Sequence, residues 1–179
     1  MLCPMADLSR HLPLSNRPTA DESAVTSDRR QALAAVVGRA AELIARNDES
    51  GDSERAAAFL AEARLDREFA GTALPAVAEA IATGAPRGIR PLTDAVRALL
   101  RLAGTEAVEL DPVTSGAVAL YAVTRAPFDR RAVVSGCTLR ATDAEWEFGR
   151  GPRRAAPARQ ILEFLLGLGD VPPPLTSRR

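Results

Sequence analysis

Apolar side chains recur three or four positions apart through the first half of the chain, which is the spacing of one face of an α-helix. The clearest segment predicts a helix over residues 28–47, with Ser27 as its N-cap and these apolar positions: Leu33, Val36, Val37, Ala40 and Ile44. After the polar residues 48–52, Ser53 is placed to cap a second helix that ends near Phe69. The pattern therefore begins with two amphipathic helices.

Two shorter helices follow, and each is ended by a glycine. One ends at Gly84 and the other at Gly104, with the turn-rich residues 84–91 between them. Because a helix with one apolar face is not stable alone, residues 28–104 are expected to form an antiparallel helical packing. Residues 1–27 carry three prolines among polar residues and little apolar periodicity, which indicates a flexible leader.

The pattern changes in the second half of the chain. Residues 112–124 are apolar but too few to settle the period, so they predict either a helix or a strand. Residues 133–142 alternate between apolar and polar side chains, as a β-strand does. A turn follows, and then a second strand with Trp146 and Phe148 on one face, so this segment predicts a β-hairpin.

A last amphipathic helix is predicted from its leucine-rich apolar face, with Gly167 at its end. The prolines at 172–174 cannot continue that helix, so the chain is expected to finish as a tail. The expected fold class is α+β, with a helical N-terminal part followed by a small C-terminal unit that contains a β-hairpin and an amphipathic helix. The expected divisions are a flexible leader (1–27), a helical region (28–104), a C-terminal α/β unit (105–170) and a tail (171–179).

Composition narrows the classes of protein. The chain is 46% apolar and 26% charged, with 23 acidic and 23 basic side chains, so we expect a folded protein that does not bind nucleic acid. Every basic residue is arginine, which excludes Schiff-base and P-loop lysines. The two cysteines are too few for a disulfide framework. No apolar run approaches the roughly 18 residues of a membrane span, so a cytoplasmic protein without a membrane partner is expected.

Few side chains are candidates for chemistry. His11 is the single histidine and a candidate metal ligand, with solvent exposure as the plainer interpretation. Cys137 is a candidate nucleophile, although its place in an alternating strand favours structural packing. Glu145 and Glu147 share a strand face, either as an acid/base pair or as solvated edge charges. Several arginines near the hairpin offer bidentate donors for an anion or another ligand: Arg140, Arg150, Arg153 and Arg154, with Arg159 close by.

The run from Thr138 to Trp146, followed by Gly149-Arg150-Gly151-Pro152 and a helix ending at Gly167, resembles the C-terminal domain of the mycothiol-dependent maleylpyruvate isomerase family. The shared order is a strand, an Ala-Thr-Asp turn, a Trp-containing strand, a Gly-x-Gly-Pro bend and a Leu-rich helix. The resemblance implies a sterol-carrier-like α/β domain. It also implies a preceding DinB-like four-helix bundle, in which histidines and an acidic residue hold a divalent metal.

The amino-terminal residues match that family less closely. Cys3-Pro4, Asp7-Leu8 and His11-Leu12 echo its opening elements, which makes His11 the counterpart of one metal ligand. The family's tryptophan and its later histidine-bearing motif are absent, so the three-ligand metal site is incomplete.

Three functions are compatible with these features. The leading interpretation is a divergent relative of the family, without a complete metal site, that binds a small molecule or a partner protein. The first alternative is an active thiol-dependent isomerase or transferase that uses His11, a divalent metal and mycothiol. The second alternative is a non-enzymatic regulatory module whose helical faces contact another protein.

Overall fold

The computed structural model describes residues 27–46 and 52–176, so all of the predicted leader except Ser27 lies outside the described residues. The described part is α+β, as predicted: it is mostly helical, with a small three-stranded sheet near the C-terminus. Its helices are α1 (Arg30–Arg46), α2 (Asp52–Glu62), α3 (Asp66–Phe69), α4 (Leu74–Thr83), α5 (Ile89–Ala103), α6 (Pro112–Arg125), α7 (Phe128–Val134) and α8 (Ala158–Leu166). Its strands are β1 (Thr138–Ala141), β2 (Glu147–Gly149) and β3 (Arg153–Ala156). None of the described helices combines the length and the apolar character needed to cross a membrane.

The helical packing of the N-terminal region is confirmed for α1, α2, α4 and α5. α1 lies against α4 and α5, α2 packs on α5, and the predicted stops at Gly84 and Gly104 follow α4 and α5. Their apolar faces meet in fully buried side chains: Leu33, Val37, Leu43, Val77, Ile81, Leu92, Val96 and Leu99. Because burying one such side chain stabilises a fold by about 1.5–3 kcal/mol, packing rather than helix propensity holds this region together.

The start of α1 differs from the prediction. Asp28, rather than Ser27, supplies the acceptor: its carboxylate accepts hydrogen bonds from the backbone N–H groups of Arg30 (3.0 Å) and Arg87 (3.1 Å). These two bonds, and after them the charge of the Arg30 guanidinium, hold the pKa of Asp28 below its ordinary value of 3.8. Asp28 therefore both caps the first turn and fastens α1 to the loop before α5.

The single helix predicted up to Phe69 is wrong, because the chain forms two helices there. α2 begins one residue before Ser53, so Ser53 lies inside its first turn instead of capping it. The break falls at Arg64, whose backbone is left-handed (φ 58°), the only non-glycine with a positive φ among the described residues. That conformation costs an L-residue about 1–2 kcal/mol. Hydrophobic periodicity misses the break because Ala63 and Leu65, on either side of it, are both buried.

Residues 112–124, which the sequence left open between helix and strand, form most of helix α6. The Asp111 carboxylate caps it by accepting a hydrogen bond from the backbone N–H of Thr114 at 2.9 Å. Pro112 occupies the first position of the helix, where its fixed φ is suitable and its missing N–H leaves no bond unmade. Of the two predicted structures, the helix is therefore confirmed and the strand is wrong.

The strand predicted over residues 133–142 is wrong in its first half. Val133 and Val134 belong to α7, and the strand begins only at Thr138. Between them Gly136 takes a positive φ of 69°, a turn that an alternating strand does not contain. The apparent alternation therefore ran across a helix end and a turn.

The predicted hairpin is confirmed, and the sheet extends beyond it. β1 pairs antiparallel with β2 and parallel with β3, in the order β2-β1-β3. The predicted tail pairs with β3: the Ala155 N–H donates to the Pro174 carbonyl oxygen at 3.1 Å, and the Thr176 N–H donates to that of Arg153 at 2.8 Å. The described part of the tail thus covers an edge of the sheet that would otherwise leave backbone groups unpaired.

Trp146 joins the sheet to α6. Its indole N–H donates to the Ser115 hydroxyl oxygen at 3.0 Å, and its ring stacks on Phe148 with 5.6 Å between centroids. Gly116 makes this approach possible, since a Cβ there would lie 3.1 Å from the Trp146 ring. α8 packs on α6 and ends at Gly167, as predicted, where the backbone is left-handed. Buried residues of the helical region and the C-terminal unit consequently form one continuous core.

Candidate functional site

The arginines predicted to bind an anion lie around the small sheet, and the structure brings two of them together. Arg140 and Arg153 lie beside Glu147, whose carboxylate oxygens are 3.9 Å from the first and 3.2 Å from the second. Arg154 donates to a backbone carbonyl oxygen of the tail at 2.8 Å, and Arg150 is exposed in the bend after β2. Three of the four predicted residues therefore already have a partner within the protein.

Carboxylates surround Arg140 on this side of the sheet. It lines a shallow depression together with Asp143, Glu145 and Glu147, so one guanidinium faces three acidic side chains. An anion entering this depression would be repelled by those carboxylates. Glu145 and Glu147, the candidate acid/base pair, both line this depression, but the prediction that they share a strand face is wrong, because Glu145 lies in the turn and β2 begins at Glu147. Glu147 is the one paired with arginines.

Arg130 and Arg159 are bonded within the fold. Arg130 donates to two backbone carbonyl oxygens at the end of α8, at 2.6 and 2.5 Å, and to Asp170 at 2.7 Å. Arg159 donates to Glu163 at 2.7 Å and also to two carbonyl oxygens of the loop after α5. Both side chains tie α8 to its surroundings and offer little to a ligand.

The candidate metal ligand His11 lies outside the described residues, so its role stays a prediction. Across residues 27–46 and 52–176, no three His, Cys, Asp or Glu side chains lie close enough together to hold a metal ion. Cys137 is half-buried between α7 and β1, with its thiol 4.0 Å from the carbonyl oxygen of Val133.

Another cleft lies where α5 and α6 meet. Its volume is about 610 Å³, and Leu165 and Leu166 of α8 form part of its surface. Its walls carry four arginines from α5, α6 and the corner between α2 and α3: Arg64, Arg90, Arg97 and Arg125. Asp94 is the one carboxylate among the described residues that line it, so the cleft has a net positive charge.

One of the four arginines is firmly paired and a second is loosely paired. Arg97 lies 3.1 Å from a Glu62 oxygen and 3.4 Å from an Asp94 oxygen. Glu62 is also 2.7 Å from Arg101, outside the cleft lining. Arg64 approaches Asp94 only to 3.8 Å. The two carboxylates are thus engaged mainly by Arg97 and Arg101.

Arg90 and Arg125 have no carboxylate partner among the described residues, since neither forms an ion pair within 4.0 Å. The Arg125 guanidinium lies over the Tyr121 ring, 5.6 Å from its centroid, as a cation–π contact. Arg90 belongs to the first turn of α5, whose N-cap Gly88 has no side chain to accept from the free amides. The positive end of α5 therefore adds to the field of Arg90, whereas Arg125 lies at the carboxyl end of α6.

The sequence contains part of the signal for this cleft. Charged side chains recur at helical spacing on one face of α5, away from its buried face: Arg90, Asp94, Arg97 and Arg101. No spacing rule connects that row to Arg64 or Arg125, which come from other elements. The missed residues were therefore recognisable as a charged helix face, but not as a cleft.

A second concavity of about 410 Å³ lies between α1, α2 and the start of α4. Its surface is mainly apolar and rich in alanine. Specific recognition of a small molecule needs placed polar groups, so the arginine-lined cleft is the stronger candidate.

Comparisons with known proteins identify no relative, so a proposed function rests on the geometry of the structure. No protein-family model, no curated protein and no solved structure matches this chain. The resemblance of residues 138–167 to the maleylpyruvate isomerase family therefore stays a prediction.

Proposed function

We propose that this protein binds a small organic anion, a carboxylate or a phosphate ester, in the cleft between α5 and α6. The observation that carries the proposal is the pair Arg90 and Arg125, which face one cleft without a carboxylate partner among the described residues. A guanidinium binds oxyanions through two parallel charge-assisted hydrogen bonds. An anion would supply the countercharge that these two arginines lack.

The size and surface of the cleft indicate the body of the ligand. A volume of about 610 Å³ lies within the range of small-molecule sites. Leu165, Leu166 and the Tyr121 ring provide apolar contact area. We therefore expect a compact ligand with an apolar or aromatic body and a charged head.

The polar groups of the cleft favour binding over a reaction. Its arginines stay protonated and cannot act as general bases. The Thr93 hydroxyl donates to the Ile89 carbonyl oxygen at 2.9 Å and is therefore already engaged. Asp94 is paired with Arg97 at 3.4 Å.

The proposal also includes a divergent relationship to the maleylpyruvate isomerase family, with a sterol-carrier-like C-terminal unit. It rests on the order of β1, a turn, β2, a glycine bend and α8, to which the structure adds β3 between the bend and the helix. A metal determination on the full chain tests the enzyme alternative. One equivalent of divalent metal that disappears in His11→Ala would favour a metal-dependent enzyme over the binding protein proposed here.

Calorimetric titration with two probes, benzoate and phenyl phosphate, tests the binding site, with benzyl alcohol as the uncharged control. We expect either anion to bind and benzyl alcohol not to bind. Arg90→Ala and Arg125→Ala should each weaken binding about tenfold, which corresponds to about 1.4 kcal/mol. Arg150→Ala is the matched control, because it removes an exposed arginine from the sheet region.

The outcomes separate the two locations. Loss of binding in Arg150→Ala, with Arg90→Ala unchanged, would move the site to the predicted arginines near the hairpin. A wild-type protein that binds neither anion would overturn the proposal.

A further inference from the structure

Arg64 occupies a helix-ending backbone position that suits glycine better than arginine. It ends α2 in the left-handed region (φ 58°), at a corner where the Leu65 N–H donates to the Leu60 carbonyl oxygen at 2.8 Å. Glycine is the usual residue in such a helix-ending position, because it has no Cβ to clash with the backbone. An arginine there is sterically disfavoured, and a compensating role is expected from its side chain.

The ion pair of Arg64 is too loose to provide that compensation. Its side chain is 61% exposed, and its Nε lies 3.8 Å from an Asp94 oxygen. A second oxygen of Asp94 is already engaged by Arg97 at 3.4 Å. Exposed pairs of this kind contribute little to stability, so the fold itself gains little from an arginine at this position.

The place of Arg64 in the cleft gives its side chain a different role. Arg64 lines the same cleft as Arg90 and Arg125, but from the corner between α2 and α3. Because its contact with Asp94 is long and solvated, its guanidinium is free to exchange that carboxylate for a ligand oxygen. Three guanidinium groups without a close carboxylate partner then line the same cleft.

Building on the proposed function, we propose that Arg64 is a third ligand-contacting residue and that the cleft selects a phosphate monoester over a monocarboxylate. A carboxylate is satisfied by a single bidentate guanidinium, whereas a phosphate monoester has three strong acceptor oxygens and up to two negative charges. Two arginines without a carboxylate partner among the described residues and one loosely paired arginine match that larger demand. The helix-ending turn fixes the backbone at position 64, and the side chain of Arg64 lines the cleft.

Arg64→Gly separates binding from stability at this position. Glycine suits the left-handed backbone, so the variant should melt at a higher temperature than the wild type. Its affinity for phenyl phosphate should fall about tenfold, while its affinity for benzoate should change less than twofold. Arg64→Asn, which also tolerates this backbone, should show the same loss of phenyl phosphate affinity. Arg67→Ala, an exposed arginine three residues along and outside the cleft lining, is the matched control and should bind as the wild type does.

The pH dependence provides a second measurement on the same proteins. The second pKa of a phosphate monoester is about 6, so phenyl phosphate should bind the wild type more tightly at pH 7.5 than at pH 5.5. Arg64→Gly should reduce that difference, since it removes a contact to the dianion.

The failures are distinguishable. If Arg90→Ala loses phenyl phosphate affinity and Arg64→Gly does not, Arg64 is not a ligand contact and the proposed function stands. A lower melting temperature of Arg64→Gly would show that arginine serves the fold, and would overturn this inference. Absence of binding to both probes in the wild type would overturn the inference together with the proposed function.

Discussion

The sheet and the α5–α6 cleft are both rich in arginine, yet their charges are available to very different degrees. At the sheet, Glu147 lies between Arg140 and Arg153, and two more carboxylates line the adjoining depression. In the cleft, one carboxylate faces four arginines, and Arg90 and Arg125 have no described acidic partner. The arginines that are close together in the sequence, at the sheet, are therefore less available to a ligand than those of the cleft, because acidic side chains lie close to them as well.

Arg130 represents a third situation, in which backbone carbonyl groups take up the guanidinium. Its side chain is only 14% exposed and lies 5.2 Å from the centroid of the Phe164 ring. It donates to the carbonyl oxygens of Phe164 and Gly169 at the end of α8. These bonds join α7 to the last turn of α8 and to the residues that follow it, so this arginine serves stability.

The largest effect is expected from Arg130→Ala. The substitution removes the guanidinium bonds to the carbonyl oxygens of Phe164 and Gly169, the ion pair with Asp170 and the contact with the Phe164 ring. We expect the free energy of unfolding to fall by about 2–3 kcal/mol, measured by urea denaturation. The neighbouring Arg131→Ala removes an exposed arginine of the same helix and should stay within about 0.5 kcal/mol of the wild type.

Equal stability of the two variants would contradict this assignment. Affinity for phenyl phosphate, measured on the folded fraction, should be unchanged by Arg130→Ala. A loss of affinity as large as that in Arg90→Ala would remove the distinction between structural and ligand-binding arginines.

The elements that could be predicted from the sequence are those whose beginning or end is marked by a residue within the element or next to it. α4, α5 and α8 combine an apolar face with a glycine at the end, and both features act within a few residues. β3 has no such signal, because two arginines and two alanines show no strand pattern, and the strand depends on a parallel pairing with β1 that skips over β2. The hairpin was predictable for the opposite reason, since its strands are neighbours.

The candidate site shows the same limit. Arg140 and Arg153 are a few positions from Glu147, so both the cluster and its neutralisation are readable from the sequence once the strands are paired. The cleft combines α5, α6, α8 and the corner after α2, which no local pattern links. Tertiary packing determines which charged side chains form ion pairs and which have no oppositely charged partner.

A second prediction concerns α6, which supports both regions. Gly116 lies under Trp146 of the sheet, while Arg125 at the end of the same helix lines the cleft. Gly116→Ala places a methyl group 3.1 Å from the Trp146 ring and strains its hydrogen bond to Ser115. We expect a loss of about 1–2 kcal/mol in the free energy of unfolding, because overpacking outweighs the better helix propensity of alanine.

Gly38→Ala is the matched control, since a Cβ at that helical position meets nothing within 4 Å. It should stabilise the protein by about 0.5–1 kcal/mol. Opposite signs for the same substitution would show that the sheet is fixed to α6 through Trp146. A stabilising Gly116→Ala would contradict that attachment, and thermal unfolding of the three proteins decides between them.

The smallest effect is expected from Glu147→Gln, which tests whether pairing alone distinguishes the sheet from the cleft. The variant removes the carboxylate that lies beside Arg140 and Arg153, and keeps the side-chain volume. Because both pairs are solvent-exposed, the free energy of unfolding should fall by less than about 1 kcal/mol. The freed arginines should then bind inorganic phosphate weakly, with a Kd of the order of millimolar, and this binding should disappear as salt is raised.

The measurement is best made in the Arg90→Ala/Arg125→Ala background, where the cleft contributes least. Phosphate binding that appears only after Glu147→Gln is added would show that pairing with Glu147 prevents the sheet arginines from binding anions. Since Asp143 and Glu145 still line the depression beside Arg140, the affinity of the sheet arginines for phosphate should stay below that of the wild-type cleft. If the sheet arginines of this variant bound phosphate as tightly as the wild-type cleft does, unpaired charge alone would account for binding. If Glu147→Gln added no phosphate binding at the sheet, the shape of the cleft formed by α5, α6 and α8 would account for most of the difference in affinity between the two regions.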